Sequence, residues 1–269
     1  MRRAPILRAV LALSLGVLGL SACLPALASA RPAVTLNAAA VPIPINLINP
    51  HSATYPGTGD ILGAPTSLEA ELTISGTEYG GSPSPLTGVK FYIPAGVKLH
   101  TQGFATCPET TLKEQGATGC PKKSFAGALG EATGVVSFGE SRVHERVTLQ
   151  GFFAPGGGFF FYVVGDTPAV IELISKGTLS NNASPPFGMV FTGEVPLVES
   201  VPGALDASVE YIKVKVGAAF EQGRRLISYA TAPRTCPKSR SFSIKVELTF
   251  LSGETAPAEY RAPCPKRTK

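Results

Sequence analysis

Four cysteines beyond residue 100 are the residues of this sequence whose type and spacing most readily carry chemistry. They are Cys107, Cys120, Cys236 and Cys264, and a proline follows each of them. Structural zinc sites use close pairs such as C-x₂-C, whereas twelve and twenty-seven residues separate the cysteines of the two local pairs. No nucleophile motif surrounds any of the four. We therefore predict neither a metal site nor a catalytic thiol at these positions.

The first thirty residues have the pattern of an export signal. A basic start precedes an apolar run at 9–20, and Ala-Ser-Ala at 28–30 matches a small-x-small cleavage site. The run is shorter than the roughly 20 residues that a membrane-spanning helix needs. We predict release of the mature chain after Ala30. The alternative is lipidation at Cys23, because residues 20–23 resemble a lipobox, and this would anchor the protein at the outer face of the cytoplasmic membrane.

The even number of cysteines in an exported chain predicts disulfides. Among three pairings we favour Cys107 with Cys120 and Cys236 with Cys264, because each of these pairs brackets one local excursion of the chain. The other pairings stay open on the sequence alone. Closing loops of this size stabilises a fold by about 3 kcal/mol each in the chain-entropy model. Residues 108–116 lie inside the first loop and carry the signals of one short helix, which Gly116 ends.

Beyond residue 66, apolar and polar residues alternate with the period of two that half-buried strands require. The clearest case is the stretch 242–250, where Phe242, Ile244, Val246, Leu248 and Phe250 share one face. Further strands are predicted at 68–74, 86–93, 135–138, 143–153, 159–164, 169–175, 189–195 and 208–216, with a hairpin connection at 154–158. This pattern predicts an all-β fold, an antiparallel two-sheet β-sandwich with one short helix in a disulfide-bracketed loop.

The composition divides the chain into four parts. The signal peptide at 1–30 is followed by an extended, proline-rich segment at 31–65, by the β-sandwich domain at 66–265 and by a basic tail at 266–269. The start of the stretch 41–47 alternates apolar residues with prolines, which suits a sheet edge where missing amide donors do no harm. We interpret the whole proline-rich segment as wrapped on the domain.

The charge of the mature chain argues against nucleic acid as a partner. Three of the 24 basic residues leave with the signal peptide and no acidic residue does, so 21 basic and 19 acidic residues remain, a net charge of +2. Basic and acidic residues are interspersed, and the basic stripe that nucleic-acid binding requires is missing from the sequence. The tail at 266–269 is interpreted as solvated.

The remaining sequence offers little further chemistry. His144-Glu145 begins like the zinc-protease motif H-E-x-x-H, but Thr148 stands where the second histidine must be, and the segment alternates like a strand. His51 and His100 have no partnering motif. Paired carboxylates for glycoside hydrolysis stay open, because sixteen glutamates are scattered over the strands. We predict no catalytic residue, no metal and no cofactor, and rank an extracellular hydrolase third among the functions.

The best candidate for a ligand platform is a polar strand face. Sugar-binding sandwiches stack sugars on exposed aromatic rings, and this chain has no tryptophan. Tyr211 shares its strand face with Lys213 and Lys215, and these three residues form the predicted platform. The competing interpretation is a tyrosine half-buried in the sheet.

The cysteine motifs also carry a resemblance. Residues 73–127, with a cysteine-bracketed helix and the motif C-P-x-x-S, and the late C-P-strand-C-P arrangement from Cys236 to Cys264 resemble a group of uncharacterised secreted actinobacterial proteins. The resemblance implies export, a β-sandwich and disulfides. It implies no activity and transfers no functional residue.

These observations together predict a secreted or envelope-associated, non-enzymatic β-sandwich protein with a structural or interaction role. Its partner is unknown, with a cell-surface glycan or protein as the candidates. Membrane contact is expected only through a lipid anchor at Cys23. The alternative function is a carbohydrate- or small-ligand-binding module.

Overall fold

The computed structural model describes residues 31–43, 62–223 and 225–264. The predictions on Ala30, Cys23, His51 and the tail at 266–269 lie outside these residues. So does most of the stretch 41–47, of which only the first three residues are described.

Strands make up most of the described chain. Their bounds are β1 Ala33–Val41, β2 Ser67–Ser75, β3 Leu86–Pro94, β4 Lys98–Leu99, β5 Gly130–Phe138, β6 Ser141–Phe153, β7 Phe159–Gly165, β8 Ile171–Ser180, β9 Phe187–Glu194, β10 Ser208–Val216, β11 Ala219–Gln222, β12 Arg225–Ser228, β13 Ala230–Thr231, β14 Ser241–Phe250 and β15 Thr255–Pro263. The helix α1 spans Glu109–Gln115, and two short 3₁₀ turns follow at Gly116–Gly119 and Lys122–Ser124. The all-β prediction with one short α-helix is confirmed for this part of the chain.

The two-sheet sandwich is not confirmed. Within the described ranges, eleven strands form one antiparallel sheet in the order β1-β2-β10-β5-β6-β7-β8-β9-β3-β14-β15. Strands β1 and β15 stand at the two ends of this order and contact each other, so the sheet curls round until it is nearly barrel-shaped. A sandwich needs a break between two sheets, whereas here each inner strand is hydrogen-bonded to both of its neighbours. Two small ladders, β11 with β12 and β13 with β4, lie beside the large sheet.

The predicted alternation sets which residues face the interior. In β14 the side chains of Ile244, Val246, Leu248 and Phe250 are at most 3% exposed, and the residues between them lie on the outer face. The same strand pairs on one side with β3 and on the other with β15, which places Val246 between Phe91 and Ala258. Burial of such side chains contributes about 1.5–3 kcal/mol each before the conformational entropy of folding is subtracted.

The first disulfide fastens α1 to the outer face of the sheet. Cys107 and Cys120 are bonded, with their Cα atoms 5.3 Å apart, and α1 runs between them from its N-cap at Pro108 to Gly116. Gly116 has φ of 63° and ψ of −162°, a backbone conformation that glycine adopts readily and that residues with a Cβ rarely do, and the helix ends there. Leu112 is fully buried against Phe152 of β6. The helix and the disulfide therefore form a second small core outside the sheet.

The second disulfide joins the two ends of the β14–β15 hairpin. Cys236 and Cys264 are bonded with a Cα–Cα distance of 5.9 Å, and they flank the hairpin of β14 and β15. The amide of Cys264 donates a hydrogen bond to the carbonyl of Arg240 at 2.9 Å. Both favoured cysteine pairings are therefore present in the structure. Disulfides of this kind indicate an oxidising, extracellular environment.

The strands that bring the edges together were not predicted. Ala33–Val41 lies in the segment predicted to be extended, and no strand is predicted at Thr255–Pro263, which contains prolines at 257 and 263. Both are edge strands with one hydrogen-bonded neighbour, where proline is tolerated. Their contact with each other turns the predicted stack of strands into a nearly closed ring.

Candidate functional site

The nearly barrel-shaped sheet encloses a cavity of about 500 Å³. Inward-facing side chains from strands all round the sheet line it, and almost all of them are apolar. Representative lining residues are Leu72, Phe91, Val147, Phe161, Leu173 and Ile212. Pockets that hold small molecules typically measure roughly 300–1,000 Å³ and are mostly apolar with a few placed polar groups. The cavity has both properties.

The inward-facing side chains do not fill the interior. About eight strands already give a sheet ring wide enough for one small ligand, and the width grows with strand number. Here several inward positions carry small residues, among them Ala38, Ala70, Ala132 and Ala262. Val147, Phe161, Leu173 and Phe191 face inward and yet are only half-buried. Since a close-packed core buries such residues fully, their partial exposure marks a surface that lines open space.

Aromatic rings cover one end of the cavity. Tyr229 is 4% exposed and packs against Phe153 and Phe159, with ring centroids 4.6 and 5.8 Å apart. Phe161 and Phe191 continue the cluster along the wall, 5.8 Å apart and edge-to-face. Burial raises the pKa of the Tyr229 hydroxyl. We call these five residues the aromatic end of the cavity.

A single buried carboxylate lies towards the other end. Glu145 is 3% exposed, and it is the one formally charged side chain that the described residues contribute to the lining. Its Oε2 accepts a hydrogen bond from the amide of Ala169 at 2.9 Å. Its Oε1 has no hydrogen-bond partner among the described residues. Buried polar atoms without a partner are rare in folded proteins, so this oxygen requires an explanation.

The structure makes room for the carboxylate at a glycine. A Cβ built on Gly165 would lie 2.9 Å from Oε1 of Glu145 and 2.7 Å from Cγ1 of Val147. Any larger residue at 165 would therefore displace the side chains of Val147 and Glu145. Sequence reasoning treated Glu145 only as part of an incomplete zinc motif. The signal that would have found it is its position in β6, where it shares the apolar inward face with Val143, Val147 and Leu149.

The predicted platform lies on the outer face of the sheet, away from the cavity. Tyr211 donates a hydrogen bond to Oε1 of Glu71 at 2.5 Å, and this bond, with burial, raises the pKa of the tyrosine to about 12. Lys215 forms an ion pair with Glu69 at 2.6 Å, and Lys213 lies 3.7 Å from the same carboxylate. The side chains of β10 therefore bind the carboxylates of the neighbouring strand β2. The platform prediction itself stays a prediction.

The other sequence candidates are placed apart from the cavity. His144 is on the outer face of β6, where its Nδ1 lies 3.3 Å from Glu210. His100 is exposed, and its backbone amide bonds to the carbonyl of Tyr229. Among the residues described by the structure, no group of three or more His, Cys, Asp or Glu side chains is arranged to hold a metal. In the same ranges, no helix has the length and apolar character needed to cross a membrane.

No protein-family model, curated protein or solved structure matches this chain. The cavity and its lining are therefore the basis for assigning a function.

Proposed function

We propose that this protein is an extracellular, non-enzymatic binding protein for an elongated apolar ligand, which it holds inside the nearly barrel-shaped sheet. The observation that carries the proposal is the apolar cavity of about 500 Å³, lined by buried and half-buried aliphatic and aromatic side chains. This develops the small-ligand alternative reached from the sequence. The carbohydrate version of that alternative is less well supported, because its platform residues already bond to carboxylates of the chain.

The energetic argument rests on apolar surface. Apolar side chains that line an unfilled space lose the packing contacts that stabilise a close-packed core. An apolar ligand restores those contacts and removes its own surface from water, which contributes about 25 cal/mol per Å² of buried apolar area. The ligand also has room to extend, since the lining reaches from Glu145 to Phe159, the partner of Phe153, a stretch of about 26 Å measured along β6 at ~3.3 Å per residue.

Export is part of the proposal. The disulfides at Cys107–Cys120 and Cys236–Cys264 indicate an oxidising compartment. We propose release after Ala30, with lipidation at Cys23 as the alternative route to the cell envelope. In either position the protein would carry or retain a poorly soluble molecule outside the cell.

A cavity-filling variant tests the proposal. Val147→Trp places a large ring in the cavity, and Thr148→Trp, one residue along β6 on the exposed outer face, is its matched control. We expect the wild type to bind N-phenyl-1-naphthylamine with a rise in fluorescence that dodecanol reverses by competition. Val147→Trp should weaken the binding of both at least about tenfold, a loss of roughly 1.4 kcal/mol. Thr148→Trp should leave it unchanged.

Circular dichroism and thermal melting will show whether both variants keep the β-rich fold. Equal affinity in the wild type and in a folded Val147→Trp variant would show that ligands bind elsewhere. A wild-type protein that binds neither the probe nor dodecanol would refute the proposed function.

A further inference from the structure

We infer that Glu145 selects the head group of the ligand: the cavity takes an apolar molecule whose polar end donates a hydrogen bond, an ammonium or a hydroxyl, and rejects an acidic head. This inference rests on the proposed function and goes beyond it by naming the ligand's polar chemistry. Its first support is the position of the residue. Glu145 pairs with Gly134 of β5 and faces inward, between Val143 and Val147.

The hydrogen bonds of Glu145 are only partly used. An ionised carboxylate accepts hydrogen bonds at both oxygens. Ala169 supplies one donor to Oε2, while Oε1 is buried and has none from the described residues. A buried acceptor without a donor costs about 1–3 kcal/mol, and more when it is charged. A ligand that supplies a donor to Oε1 would recover this free energy.

The charge around Glu145 points in the same direction. Within residues 31–43, 62–223 and 225–264, no lysine, arginine or histidine forms an ion pair with it. Its neighbours in the same cluster are apolar, among them Val136, Ala169 and Ile171. Buried charges in proteins are normally paired. A cationic head would supply that pairing, whereas a carboxylate or phosphate head would be repelled at this end.

The two ends of the cavity then give the ligand a direction. The donor head lies beside Glu145, and the apolar tail points along the wall towards the aromatic end at Phe161, Phe191 and Tyr229. The two ends of the cavity therefore differ in chemistry, and only the end at Glu145 carries a charged side chain among the described residues.

The test compares three ligands with the same twelve-carbon tail and different heads. Dodecylammonium and dodecanoate, each below its critical micelle concentration, and dodecanol, below its solubility limit, are used to displace N-phenyl-1-naphthylamine from the wild type and from Glu145→Gln. We expect the wild type to bind the amine and the alcohol at least about tenfold more tightly than dodecanoate, the scale of a charge-assisted hydrogen bond. In Glu145→Gln the affinity for dodecylammonium should fall about tenfold, and the affinity for dodecanoate should come close to that for dodecanol. The amine-to-alcohol ratio in the wild type tells whether an ammonium or a hydroxyl is preferred.

The matched control is Glu140→Gln, which removes the same charge from an exposed position in the turn between β5 and β6. It should leave the wild-type ranking intact. If all three ligands bind the wild type equally, the inference is overturned and the proposed function stands. If none of them binds, the proposed function itself fails. Should Glu145→Gln fail to fold, the wild-type ranking alone decides, since dodecanoate binding as tightly as dodecanol overturns the inference.

Discussion

Replacing Phe152 by alanine is expected to lower the free energy of unfolding by about 3–5 kcal/mol, although this side chain points away from the interior of the sheet. Phe152 is fully buried on the outer face of β6, in the small core that α1 and the Cys107–Cys120 disulfide form. Its ring lies 5.1 Å from that of Phe125. Loss of the ring would leave a void beneath Leu112, because the disulfide holds the helix in place. Urea unfolding followed by circular dichroism measures the effect.

The matched variant is Phe161→Ala on the neighbouring strand β7. Phe161 faces inward, lines the cavity and is only half-buried. Removing the ring of Phe161 enlarges a space that already exists. We therefore expect the free energy of unfolding to fall by roughly half as much as for Phe152→Ala, or less. A larger loss for Phe161 than for Phe152 would mean that the interior of the sheet is a packed core and not a binding cavity.

Removing the first disulfide should also lower the stability of the protein strongly. The double substitution Cys107→Ser and Cys120→Ser is expected to lower the free energy of unfolding by about 3 kcal/mol from loop entropy alone. Helix α1 has only seven residues and would be marginal on its own. We therefore expect its amides to lose protection from hydrogen exchange, while the sheet keeps its protection.

The second disulfide is the control for this experiment. Cys236→Ser with Cys264→Ser opens a longer loop, and should lower stability by a similar amount of about 3–4 kcal/mol. Because it lies at the β14–β15 hairpin, exchange at α1 should not change. Protected α1 amides in the Cys107→Ser/Cys120→Ser variant would contradict the role of that disulfide in holding the helix.

The inner strands of the large sheet were predictable because the alternation of apolar and polar residues is visible in the sequence. The stretch 242–250 and the segment 143–153 both became strands close to their predicted bounds. The short helix was predictable from Pro108, Glu109 and Gly116. In each case the signal is local: a period of two, or a start and a stop within a few residues.

The closure of the sheet was not predictable in this way. Alternation gives the same inward and outward faces to a sandwich and to a curled single sheet, so it does not distinguish them. The distinction depends on β1 and β15, which pair on one side only and therefore tolerate alanine, asparagine and proline. Whether the inward-facing side chains fill the space inside the curled sheet depends on strand number and curvature, which are properties of the whole sheet.

The candidate site shows the same division. The position of Glu145 on an apolar face could be read from the sequence, but its missing donor could not, since that depends on Gly165 and Ala169 from another part of the chain. Conversely, the common strand face of Tyr211, Lys213 and Lys215 could be read from the alternation of the sequence. Their carboxylate partners on β2 became visible only through the pairing of β2 with β10.

Methyl NMR of the protein with dodecanol tests the central claim most directly. The account predicts intermolecular contacts from the alkyl chain to the inward methyl groups of Val147, Leu173 and Ile212, and none to the outward methyl groups of Val164 and Val170. Contacts confined to Val164 and Val170, with unchanged signals from the three inward residues, would contradict it.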